Sequence, residues 1–117
     1  MPTPAISSPI TVAELLERYD VFLLDGHGVL INSAGPLPGA ASFLRGIKDR
    51  GKQYLLLSND ASRSPAAIVD RYRRAGLELD LDRVLSSGLL LRDYFASEGL
   101  RGRRCIVLGT HDSADYV

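Results

Sequence analysis

Asp25 closes the apolar run VFLLD and is followed by GHG, so a carboxylate, the imidazole of His27 and two glycines stand side by side. Ser58 closes a second apolar run, QYLLLS, and leads into Asn59 and Asp60; Ser86 and Ser87 follow a third, centred on Val84 and Leu85. A carboxylate at a strand end often caps a turn by accepting backbone N–H bonds, and Asp25 alone leaves that reading open. The glycines on either side of His27 favour a second reading, because they let main-chain amides approach and surround an anion. Ser58 and Asn59 add a hydroxyl and a carboxamide able to grip the same anion. A carboxylate facing a phosphate needs a divalent cation or a covalent role, since repulsion otherwise expels the ligand.

The elements that must position these groups follow from periodicity. Thr11 with Glu14 three residues on has capping-box spacing, and Val12, Leu15, Leu16 and Tyr19 then share one helical face. VFLLD is a continuous apolar run, which predicts a strand buried on both faces. GHGVLINSAGPLPG reads as a long glycine-rich loop, and Pro38-Gly39 opens a helix that Gly51 closes. After the strand QYLLLS, Ser64-Pro65 starts a helix that ends at Gly76. A short strand around Val84, a helix over GLLLRDYFASEG, a strand CIVLG and the first turn of another helix in HDSADYV complete the chain. Strands alternating with helices predict an α/β, Rossmann-like parallel sheet with right-handed crossovers. On such sheets ligands bind beyond the carboxyl ends of the strands, where Asp25, Ser58 and Ser86-Ser87 converge.

The totals exclude several classes. The 117 residues suffice for one domain, with 45% hydrophobic and 24% charged residues, as in a soluble globular protein. Fourteen basic and fourteen acidic residues cancel, so no net field favours nucleic acid or anionic lipid. Arg101, Arg103 and Arg104 read as a solvated turn. The lone Cys105 lies in an apolar run and is expected to be a buried, inert thiol. Neither a basic leader nor an apolar span is visible, which favours a cytoplasmic protein with no membrane partner.

The motifs in this order resemble the haloacid dehalogenase superfamily: DGHGVL with LPGA at 37–40, then SNDASRS at 58–64, LSSG at 85–88 and VLGT at 107–110. Within it they are similar to the class IIA branch that includes 4-nitrophenylphosphatase and pyridoxal-phosphate phosphatase. The resemblance implies a phosphatase of small phosphorylated metabolites, with Asp25 as the nucleophile that forms an aspartyl phosphate. It implies that Ser58 binds the phosphoryl oxygens, that Asn59 positions substrate or loop, and that the amides of Gly26 and His27 help hold the phosphate. A magnesium ion would be held by the Asp25 carboxylate and the His27 main-chain carbonyl. The division it implies is an arm and helix over 1–20, the first part of the hydrolase core over 21–100, and the start of an α/β cap domain over 101–117.

Two departures qualify this. His27 stands where the family's phosphatases carry a second aspartate, the acid that protonates the leaving oxygen. An imidazole exchanges protons near neutral pH, but a cation beside Mg²⁺ is disfavoured, so proton transfer and simple loop packing both remain open for His27. The family pattern also continues to a lysine and an acidic pair that complete the cation site. Lys48 and Lys52 lie in and after the first crossover helix, where they are expected to be solvated. The chain is therefore expected to be the amino-terminal part of a longer enzyme, weakly active or inactive alone, with exposed apolar strand edges that promote association of copies. Two further classes stay open: a non-catalytic relative that binds phosphorylated ligands, and a magnesium-independent carbon–halogen hydrolase. Of the remaining polar residues, Asp60 orders the substrate loop or caps a turn, Arg63 reaches a phosphate or pairs with Asp60, and at His111-Asp112 a helix N-cap on Asp112 or Ser113 is expected in preference to a metal pair.

Overall fold

A computed structural model describes residues 8–117. The start of the expected arm, residues 1–7, lies outside the described residues. Helix α1 (Val12–Arg18) starts on the capping box, with Thr11 Oγ accepting from the Glu14 amide and the Glu14 carboxylate accepting from the Thr11 amide. Strand β1 (Val21–Asp25) follows, then a two-stranded antiparallel hairpin, β2 (Ile31–Asn32) and β3 (Gly35–Pro36). Helix α2 (Ala40–Asp49), strand β4 (Gln53–Ser58), helix α3 (Pro65–Arg74) and strand β5 (Val84–Ser86) form the body. Helices α4 (Leu91–Ser97) and α5 (His111–Asp115) end the chain. The main sheet is parallel, in the order β1-β4-β5.

That order explains a correction. The sheet advances in one direction only, so two right-handed crossovers place α2 and α3 on the same face. Phe22, Leu24, Tyr54, Leu56 and Val84 point into one cluster with Leu44, Ile47, Ile68 and Val69 from those helices. The alternate residues lie open: Val21 is 58% and Leu23 65% exposed, with Leu57 and Leu85 exposed beside them. Strand β1 is thus covered on one face, not two.

Five further expectations change. Of the apolar face of α1 only Leu16 is buried; Val12 and Tyr19 are exposed, because a seven-residue helix meets the core through one turn. The loop after β1 contains the β2–β3 hairpin, its turn fixed by Asn32 Oδ1, which accepts from the Ala34 amide at 2.9 Å. CIVLG forms no strand: residues 103–108 have no regular structure, and Ile106 and Leu108 are exposed, since no neighbouring strand offers them hydrogen bonds. Cys105 is accordingly exposed, not buried. Lys52 is not free in solvent either; its ammonium pairs with Asp20 at 2.9 Å. Among the described residues no helix is long and apolar enough to cross a membrane.

Candidate active site

Asp25 and Ser58 reach the same sheet edge because β1 and β4 run parallel with Asp25 opposite Leu57, leaving Ser58 one residue further along. Between them lies a cavity of about 220 Å³, whose lining includes Asp25, His27, Ser58, Asn59 and Asp60. The structure brings Asp25, Gly26, His27, Ser58, Asn59 and Asp60 together, but not Ser86 and Ser87.

Each is held locally. The Gly26 carbonyl accepts from the amides of Val29, Leu30 and Ile31 at 3.2, 2.9 and 3.2 Å, and Gly28 N–H donates to the Ile31 carbonyl at 2.8 Å. Leu30 and Ile31 are buried, so this tight loop is pinned to the core and carries His27 exposed at its tip. The Gly26 amide donates to Asp25 Oδ1 at 2.8 Å. That bond fixes the carboxylate, leaves Oδ2 unbonded among the described residues, and engages the Gly26 amide. The His27 amide, by contrast, donates to no group among the described residues.

Ser58 Oγ accepts from the Asp60 amide at 3.1 Å, which leaves the hydroxyl proton to donate elsewhere. Asp60 does not aim its charge at the cavity. Its carboxylate accepts from the Ser62 amide at 3.0 Å and from the Ser62 hydroxyl, and pairs with Arg63 at 2.7 Å. Burial pushes the Asp60 carboxyl up, but the Ser62 bonds and the Arg63 guanidinium outweigh it and hold the group below the usual carboxylate range. Asp60 therefore caps the 59–64 turn, and Arg63 is its partner. Asn59 is exposed, its carboxamide free of protein bonds among the described residues.

Ser86, at the third strand end, is committed elsewhere. Its Oγ accepts from Gly88 N–H at 3.3 Å, lies 2.9 Å from the Tyr116 hydroxyl, and donates to the Asp60 carbonyl at 3.4 Å. At the C-terminal end the N-cap of α5 is Thr110, not Asp112 or Ser113; its Oγ accepts from the Ser113 amide at 3.1 Å. Asp112 instead accepts from the Ser64 amide at 2.9 Å, and His111 lies 3.7 Å from Asp115. A larger cavity, of about 420 Å³, lies between α4 and the last residues, away from the strand ends.

The cavity beside Asp25 also holds two polar residues that the motifs did not signal. Arg71 supplies the one guanidinium in its lining, and Tyr72 brings a phenol. Tyr72 is 6% exposed, and burial raises its pKa, Arg71 opposing this and the charges of Asp25 and Asp60 reinforcing it. In sequence Tyr72 sits four residues after Ile68 and reads as core. The available signal was a hydroxyl on the buried stripe of a helix beside the reactive edge.

No group of three or more His, Cys, Asp or Glu side chains able to hold a metal gathers among the described residues. Two hard oxygens are available, however. Asp25 Oδ2 and the His27 main-chain carbonyl accept no hydrogen bond among the described residues. Magnesium is commonly bound by one or two carboxylates, with water and phosphate oxygens filling the remaining positions, so this donor set fits it.

Comparison with known proteins agrees with the geometry. A family model described as haloacid dehalogenase-like hydrolase matches residues 22–117. The chain is 29% identical over 89 residues to 4-nitrophenylphosphatase of Schizosaccharomyces pombe, covering 76% of this chain and 30% of that one. A crystal structure of a possible sugar phosphatase from Cytophaga hutchinsonii superposes with a TM-score of 0.79 at 35% identity, over 93% of this chain and 38% of that one. The magnesium complex of glycerol phosphate phosphatase Rv1692 from Mycobacterium tuberculosis shares the fold, with a TM-score of 0.72 at 22% identity, over 87% of this chain and 30% of that one. The chain thus spans about a third or less of the length of the curated relatives it matches first.

Proposed function

This chain belongs to the haloacid dehalogenase-like hydrolase family, and we propose that the protein is a phosphatase of small phosphorylated metabolites that works through an aspartyl phosphate on Asp25. The observation that carries this reading is a carboxylate fixed on one oxygen, free on the other, across a cavity from a serine hydroxyl with its proton to give.

In the first step a bond forms between an Asp25 oxygen and phosphorus as the ester P–O bond breaks. In the second, water attacks the same phosphorus and returns Asp25 and inorganic phosphate. Ser58, Asn59 and the His27 amide hold the phosphoryl oxygens, a positioning role that suits a loose transition state. His27 exchanges the proton with the leaving oxygen and then with water; its imidazole is exposed beside the cavity and bonded to no partner among the described residues. Magnesium, held by the Asp25 carboxylate and the His27 carbonyl, would neutralise the charge of the phosphate against Asp25. We assign 21–100 to the hydrolase core and 101–117 to the beginning of a cap domain.

Phosphate release from 4-nitrophenyl phosphate by the whole protein tests the reading. Asp25→Asn should lower turnover at least about a thousandfold, the scale on which removing a nucleophile acts, and a chelator should abolish it. Equal turnover with and without the carboxylate would end the proposal; halide release from a haloacid that survives chelation would point to the carbon–halogen class instead.

A further inference from the structure

We infer that the Tyr72 hydroxyl is a second side-chain donor, beside Ser58, to the anion bound in the Asp25 cavity, and that residue 26 is glycine in order to admit it. The inference rests on the reading of this cavity as a phosphoryl site and adds a substrate-contacting residue to it. Tyr72 is more than nine-tenths buried, yet its hydroxyl makes no hydrogen bond among the described residues and lines the cavity. Among the described residues no buried side-chain polar atom lacks a partner, so this hydroxyl opens onto the cavity, where its proton is free to be given to a bound anion; phenylalanine would fill the same space without that donor. The hydroxyl is aimed by the helix itself. Aromatic side chains lean toward a helix's N-terminus, which on α3 is the end nearest the carboxyl edge of β4.

Gly26 shows how closely the fit is made. A Cβ built on Gly26 would stand 2.1 Å from the Tyr72 oxygen and 3.3 Å from its ring carbon. Gly26 is not among the glycines with positive φ, so space and not backbone conformation requires it. The two residues specify one another: the missing methyl is the berth of the phenol oxygen, directly behind the residue that follows Asp25.

Titration of inorganic phosphate into the protein at fixed magnesium, followed calorimetrically, tests this. Tyr72→Phe should weaken phosphate binding roughly ten- to a hundredfold, the range expected for one hydrogen bond to an anion. It should leave the ligand-free melting temperature unchanged or raised, where a merely structural hydroxyl would lower it. Gly26→Ala should lower the melting temperature, and much less so in the Tyr72→Phe background, where the clashing oxygen is gone. Phosphate binding unchanged in Tyr72→Phe, with magnesium dependence that Asp25→Asn abolishes, would overturn the inference and leave the phosphoryl site standing. Absence of magnesium-dependent phosphate binding in the unaltered protein would overturn the site reading and this inference with it. An equal loss from Gly26→Ala in both backgrounds would overturn the role given to the glycine.

Discussion

β4 and the run 105–109 are both short, apolar stretches that follow a basic turn, and their surroundings differ completely. Leu56, on β4, is fully enclosed, with β1 hydrogen-bonded on one side and β5 on the other. Leu108 is 90% exposed and its backbone joins no sheet. A helix start satisfies its amides within a few residues, so Thr110 caps α5 at the end of this otherwise irregular segment. A strand has no such local solution and forms only where another strand supplies its bonds. Apolarity makes a strand available; a neighbour makes it real.

The largest test of this contrast sets one leucine against another. Leu56→Ala should destabilise the protein by about 2–5 kcal/mol through the cavity it leaves, whereas Leu108→Ala should stay within about 0.5 kcal/mol, both read from urea unfolding. Comparable losses would mean that the 105–109 run is packed in solution and the contrast is false. A smaller effect is expected where the two regions meet. The Tyr116 hydroxyl donates to the Arg63 carbonyl at 2.5 Å and lies 2.9 Å from Ser86 Oγ. Tyr116→Phe should cost roughly 1 kcal/mol, seen as faster amide exchange in α5 with β4 unaffected. Equal acceleration in β4 would show one cooperative body.

The smallest effect concerns pH. Asp60 has a folded pKa below its ordinary 3.8, so its contribution to stability is complete above that value and is lost as pH falls through the folded one. The difference in melting temperature between the protein and Asp60→Asn should therefore be modest at neutral pH and shrink below about pH 4. A difference constant into strong acid would show that the carboxylate's charge is not what orders the 59–64 turn.

What could be read in the sequence was local or strictly periodic. The Thr11–Glu14 box, the Ser64 cap before Pro65 and the bounds of β4 each depend on residues a few positions apart, and each appears as expected. The gathering of Asp25 and Ser58 was also legible, because parallel strands align their carboxyl ends. What stayed hidden depends on what lies opposite. Whether Leu23 is covered turns on the direction in which the sheet grows, and nothing in VFLLD records that. Tyr72 belongs to the apolar stripe with Ile68; that its oxygen emerges beside Gly26 is settled only when α3 docks against β1. Cys105 inherited its expected burial from a strand that lacks a partner.

One arrangement near the C-terminus has a mechanical meaning. The consecutive carbonyls of Ala61, Ser62 and Arg63 accept from Ser113, Thr110 and Tyr116, while Asp112 takes the amide of Ser64. Four adjacent residues of the turn beyond Ser58 are thereby stitched to one short helix. Such a seam resists fraying one thread at a time, because each remaining bond preserves the alignment the others need. Any pull on the final helix is felt at once by the turn beyond Ser58, while β4 keeps its own bonds to β1 and β5.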